Sequence, residues 1–303
     1  MKRWGILMRI VTVLLVCSGV GVVAFAGTLE KIAEKKSITL GVRDASVPFS
    51  YNDDEGKPIG YTVEICKKVV EGIRTHLRMP SIEIRYQLVT PPTKVPLMAN
   101  GTIDLECSAT SNDPARHNQV AFSNTVFLAT NTFIAKRNSG ITRIEDLKGK
   151  TASSIAATTN LRQLAALNAD RQLGIRILTA RDLAEAFLML ETDRTAALVL
   201  DDAILINMVA SSRNPQDYVF SSERLAPPEP YAIMLRKDDP EFKKVVDATV
   251  AEYLKSSDGM ANYQKWFESA IPPRGYNLKF PMPPGLKKAY SNPTDSVAPG
   301  AYD

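Results

Sequence analysis

The chain has 303 residues, and its 37 lysines and arginines face 33 aspartates and glutamates, for a net charge of +4. That length suits two domains of ordinary size. No basic patch interleaved with aromatics points to nucleic acid. Two histidines, neither in a ligand cluster, leave little for a metal centre or a hydrolytic triad.

Residues 1–26 begin with Lys2, Arg3 and Arg9, hold no acid, run apolar from Ile10 to Val16 and close on Ala24-Phe25-Ala26. A charged start, an apolar middle and an A-x-A end make an export signal, expected to be cut after Ala26. A retained anchor is the alternative, but Ser18 and the glycines interrupt a stretch already short for a span. Val16 is bulky for a residue preceding a lipidated cysteine, which argues against Cys17 as a lipid site. Gly19-x-Gly21-x-x-Ala24 matches a dinucleotide fingerprint without the strand, turn and helix that fingerprint needs. Loss of the three basic residues takes the net charge from +4 to +1. Cys66 and Cys107 then remain, both among apolar neighbours. Two buried free thiols are expected, with a single bridge as the alternative in an oxidising compartment.

Strands and helices alternate from Gly27 onward. Ile38 to Val42 reads as a strand, and Tyr61 to Leu77 as a helix with Val63, Cys66, Val70, Ile73 and Leu77 at helical spacing. Ile82, Ile84, Tyr86 and Leu88 alternate as a strand, and Lys94 to Ala99 forms a short helix closed by Asn100-Gly101. Strands are expected at 103–107, 132–135, 151–155, 175–178 and 196–200. Helices are expected at 144–147, within 156–167, and at 183–190, 203–209 and 242–254. Trp266 and Phe267 are expected to pack the end of the last helix. The proline- and glycine-rich tail from Pro281 should wrap the surface loosely. The alternation predicts an α/β fold with mainly parallel sheets, in which ligands bind beyond the carboxyl ends of strands.

Two places carry candidate chemistry. In the run 101–116, GTIDLECSATSNDPAR, a strand opens into a loop of hydroxyl residues, and Asn112-Asp113-Pro114 reads as a helix start. Ser108, Thr110, Ser111 and Arg116 would add hydroxyls and a guanidinium there, a set that suits a carboxylate. An ordinary capped helix with a solvated arginine is the competing reading. Asp201-Asp202 ends an apolar strand and precedes an apolar helix. Asp201 is expected to face a ligand ammonium and Asp202 to cap the helix. No G-x-S-x-G elbow, P-loop or C-x-x-C is present.

These segments fall into a known order. GVRDASVPFSY at 41–51, GY at 60–61, PLMANGTIDLEC at 96–107, AFSNTVF at 121–127 and DLKGK at 146–150 are followed by LDDAIL at 200–205, YAIMLRKDDPEFKK at 231–244, KWF at 265–267 and IPPRGYNLKF at 271–280. In this the chain resembles the periplasmic amino-acid-binding proteins, family 3 of the bacterial solute-binding proteins, above all their glutamate/aspartate branch. Thr62 stands where the general family signature expects an acid.

The resemblance implies a two-lobed α/β binding-protein fold of type II with two crossover hinge segments. The lobes would be 28–129 with 232–303, and 130–231, crossing near Asn131-Thr132 and Pro230-Tyr231. It implies a periplasmic monomer that hands an amino acid to the permease of an ABC transporter, without cofactor, metal or catalysis. Arg116 with Ser111, and Thr159 beside Thr158, would hold the ligand α-carboxylate, and Asp201 the ammonium. Arg43 and Lys94 would favour an acidic side chain, glutamate or aspartate, unless both are simply solvated. Pro91, Ala109 and Leu183 replace polar residues of that branch, which makes the pocket more apolar. A larger acidic or a polar neutral amino acid is the alternative ligand. An exported dehydratase acting on arogenate or prephenate and a sensory module are the alternative functions.

Overall fold

The computed structural model describes residues 27–298 and 300–302. The export signal, Cys17 and the glycine pattern at 19–24 lie outside the described residues. The first elements are α1 (Thr28–Lys35), β1 (Ser37–Val42), the short strands β2 (Ala45–Ser46), β3 (Ser50–Asn52) and β4 (Pro58–Ile59), and α2 (Tyr61–His76). Next come β5 (Glu83–Leu88), α3 (Lys94–Ala99), β6 (Leu105–Glu106), β7 (Val120–Ala129) and β8 (Asn131–Lys136). They are followed by β9 (Thr151–Ile155), α4 (Thr159–Asp170), β10 (Arg176–Ala180), α5 (Leu183–Glu191), β11 (Ala197–Asp201), α6 (Asp202–Ser211) and β12 (Tyr218–Phe220). The last are β13 (Glu229–Arg236), α7 (Pro240–Lys255), α8 (Ser257–Tyr263) and α9 (Pro284–Ser291).

Two five-stranded sheets form, ordered β5-β1-β6-β13-β7 and β10-β9-β11-β8-β12. Three strands of each run parallel; the long strands β7, β13 and β8, and the short β12, are antiparallel to their neighbours. The sheets are therefore mixed rather than mainly parallel. The chain leaves the first sheet between β7 and β8 at Thr130 and returns between β12 and β13.

Period-two alternation sorts the second sheet's side chains into two layers. Ile134, Leu198 and Leu200 face one apolar cluster, while Phe133, Ala135, Ala197 and Val199 face the other. In the first sheet Phe127 stacks on Phe267 at 4.9 Å and meets Phe49 edge-on at 5.0 Å. Such ring pairs add about 0.5–1.5 kcal/mol each beyond area burial. Gly60, just before α2, has φ +130°, and a Cβ there would lie 2.4 Å from the Phe49 carbonyl oxygen. Only glycine tolerates that conformation and approach.

Three expectations are corrected. Asn112-Asp113-Pro114 starts only a 3-10 turn, Pro114–Arg116, because Arg116, His117, Asn118 and Gln119 offer no apolar face to bury. Cys66 and Cys107 are bridged rather than free, with Cα atoms 6.1 Å apart, tying α2 to the residue after β6. The tail is not loose. Its helix α9 buries Leu286, Ala289 and Tyr290, and the Tyr290 hydroxyl meets that of Tyr61 at 2.5 Å. Beyond it, Thr294 O accepts from Thr125 N at 2.8 Å and Asp295 pairs with Lys243 at 2.9 Å.

Candidate functional site

The functional candidates sit where parallel strands end. Arg43 follows β1, Lys94 opens α3 after β5, and Ser111 and Arg116 follow β6. In the second sheet Thr158 and Thr159 follow β9, and Asp201 ends β11. All seven line one cavity of about 50 Å3 between the two sheets. A wider groove of about 1500 Å3 shares Leu183 and Ile204 with it. That groove lacks the buried charges that line the smaller space.

The loop carrying Ser111 is pinned to β13. Asn112 N donates to Pro230 O at 2.8 Å and Ala232 N to Thr110 O at 3.1 Å. Arg116 Nη1 donates to Ser111 O at 2.9 Å, so the guanidinium is aimed by the loop it follows. The Ser111 hydroxyl donates to Glu229 at 2.6 Å and lies 3.2 Å from Thr159 Oγ1. Thr158 is committed to its helix: its hydroxyl donates to Ile155 O at 2.7 Å and accepts from Leu161 N at 3.2 Å. Thr159 is the freer of the pair.

Asp201 and Asp202 have different surroundings, Asp201 at the N-cap position of α6 and Asp202 as its first residue. Asp202 Oδ1 accepts from Ala203 N at 2.8 Å and Thr130 N at 3.2 Å. Asp201 makes no cap bond. It accepts from Asn160 Nδ2 at 2.9 Å and from the Tyr231 hydroxyl. Burial dominates its environment and raises its pKa to about 7, against the two hydrogen bonds. The Tyr231 ring is held edge-on by Phe49 at 5.4 Å, and burial drives its own pKa well up, so it stays a donor.

Arg43 is only 9% exposed, and its Nε has no acceptor among the described residues. Burial lowers its pKa, while Glu106, Asp44 and Asp182 pull the other way. Lys94 Nζ donates to Thr110 Oγ1 at 2.5 Å and lies 3.4 Å from Ala109 O. Burial lowers its pKa to about 7. Pro91, Ala109 and Leu183 complete the wall without polar side-chain atoms. Among the described residues no cluster of His, Cys, Asp or Glu could hold a metal ion.

Sequence reasoning missed Glu106, Tyr231 and Asn160. Glu106 follows Leu105 and precedes Cys107 in a strand that buries every position. An acid in such a run was the available signal.

The sequence matches the family described as bacterial extracellular solute-binding proteins, family 3, over residues 38–269. The chain belongs to that family. It is 44% identical over 273 residues to the L-glutamate/L-aspartate-binding protein of Pseudomonas aeruginosa, covering 90% of each chain. It is 34% identical to the glutamate/aspartate import solute-binding protein of Escherichia coli K12, again covering 90% of each. A solved structure of a mutant ArgBP from T. maritima superimposes with TM-score 0.70 at 26% identity, covering 79% of this chain and 99% of that one. The fold is thus that of the two-lobed amino-acid-binding proteins. No described helix is long and apolar enough to cross a membrane.

Proposed function

We propose that this chain is the extracytoplasmic binding component of an ABC importer for acidic amino acids, glutamate or aspartate. The relatives named for those ligands support the class, and all of those cited are binding proteins rather than enzymes. The observation that carries the ligand is the pair of buried cations beside the cavity. Arg116 and Asp201 match the carboxylate and ammonium of any α-amino acid. Arg43 and Lys94 are then left over, one with an unpaired N–H. Glu106 is the largest negative neighbour of both cations, so positive charge remains in excess there, and buried charge in excess is costly. A side-chain carboxylate removes that cost, and a guanidinium presents it a planar fork of donors.

In this reading residues 28–129 and 232–303 form one lobe and 130–231 the other, and they close on the ligand as a hinge. Arg116, Ser111 and Thr159 take the α-carboxylate, with Thr158 fixing the helix end beneath. Asp201 takes the ammonium. The export signal delivers the chain to the periplasm, where it meets a membrane permease.

Calorimetry with the mature chain tests the ligand. L-Glutamate or L-aspartate should bind 1:1 at micromolar Kd or tighter, about −8 kcal/mol. Tighter binding of L-glutamine or L-asparagine would favour the polar neutral reading instead.

A further inference from the structure

Glu106 does not line the cavity, yet its carboxylate is wholly buried directly behind it, at 0% exposure. One oxygen accepts from the Ser108 hydroxyl, the other from Thr110 Oγ1 at 2.7 Å. Thr110 Oγ1 in turn meets Lys94 Nζ at 2.5 Å. A hydroxyl has one proton, and an ammonium only donates. Thr110 must therefore accept from Lys94 and pass its own proton toward Glu106. The direction of the relay is set by the carboxylate at its end.

We propose that Glu106 is a positioning residue for the ligand: acting through Thr110, its buried carboxylate aims the Lys94 ammonium into the cavity and balances its charge. The inference rests on the reading of Lys94 as a ligand group. Among the described residues, Lys94 spends two of its three N–H donors on Thr110 and Ala109. The third is left for the cavity it lines. The charges facing Lys94 are Glu106 and Asp201, which hold its proton on, and Arg116 and Arg43, which push it off. Glu106 is the largest of these. Without it, two guanidiniums outnumber one carboxylate around a fully buried amine. The amine then sheds its proton at lower pH and no longer draws an anion.

Glu106→Gln keeps the shape and can still accept from Thr110, but removes the charge. Affinity of the full mature chain for L-glutamate is measured by calorimetry from pH 6 to pH 8.5, beside wild type. The variant should bind within about threefold of wild type at pH 6. The limb on which affinity falls with rising pH should then move about one unit lower, an extra loss of about tenfold at pH 8. Glu106→Asp, which keeps the charge, should move that limb less. Thr110→Val removes the acceptor from the ammonium and should move it in the same direction, which keeps the test open if Glu106→Gln does not fold. Uniform weakening at every pH would mean a structural role only, and an unmoved limb would mean none; either overturns the proposal while leaving the ligand assignment intact. Failure of wild type to bind L-glutamate or L-aspartate would overturn both.

Discussion

The hydroxyls of Ser111 and Thr159 meet at 3.2 Å across the cavity, one reached from the first sheet and one from the second. Other contacts cross at the same level. Asp113 pairs with Arg162 at 2.6 Å, and Tyr231 of β13 donates to Asp201 of β11. Gln163 joins the two crossing strands, accepting from Asn131 at 2.7 Å and donating to Glu229. These contacts join the two sheets on either side of the cavity. Under the proposed hinge, ligand affinity and closure form one coupled equilibrium, because a state that parts the two sheets loses half of the site.

Arg116→Ala and Asp201→Ala should each weaken glutamate binding by about 2 kcal/mol or more, some thirtyfold, since each leaves a ligand charge buried without a partner. Calorimetry at fixed pH and salt checks both. A change under threefold in either would remove that residue from the site.

Affinity for glutamate should trace a bell with its top near pH 7. Asp201 is raised to about 7 by burial, and a ligand ammonium favours its ionised form, so affinity falls as pH drops below about 7. Lys94 is lowered to about 7 by burial, and a ligand carboxylate favours its protonated form, so affinity falls as pH climbs above about 7. Binding should release protons on the acid side and take them up on the basic side. Titrations in buffers of different ionisation enthalpy measure this directly. A flat profile with no proton exchange between pH 5.5 and 8.5 would contradict it.

Arg162→Ala should cost far less than Arg116→Ala. The Arg162 side chain is 54% exposed, and exposed ion pairs contribute about 0–1 kcal/mol. The expected change in Kd is under about fivefold, shrinking further at high salt. A loss as large as that of Arg116→Ala would mean that this pair, rather than the cavity, controls closure.

Much of this was readable before any coordinates, and the gaps have physical causes. Helix 61–76 and strand 83–88 follow from apolar spacing. Arg116 and Asp201 stand out as charges near the ends of apolar strands, whereas Arg43 and Lys94 were marked only by the resemblance to the glutamate/aspartate branch. Glu106 was passed over although an acid in an apolar run was visible, because Lys94, which it reaches through Thr110, becomes a neighbour only once β6 and α3 pack. The bridge was equally hidden, since 41 residues separate its cysteines. In the tail, Leu286, Ala289 and Tyr290 already carry helical spacing, but the surrounding prolines and glycine masked it.

Replacing both Cys66 and Cys107 with serine should lower stability by about 4 kcal/mol on the loop-entropy estimate for 41 residues. Calorimetric melting of the variant beside the oxidised chain measures it. Because Cys107 follows Glu106, the same variant should also bind glutamate more weakly at temperatures where it remains folded. Unchanged melting would show that the bridge constrains nothing.

Arg43 and Lys94 are the groups proposed to receive a ligand side-chain carboxylate. A crystal structure of the protein with L-glutamate tests this assignment most directly. The α-carboxylate should lie on Arg116, the ammonium on Asp201, and the distal carboxylate within hydrogen-bonding distance of Arg43 Nε and Lys94 Nζ. A distal carboxylate turned away from both cations, or a ligand seated outside this cavity, would contradict it.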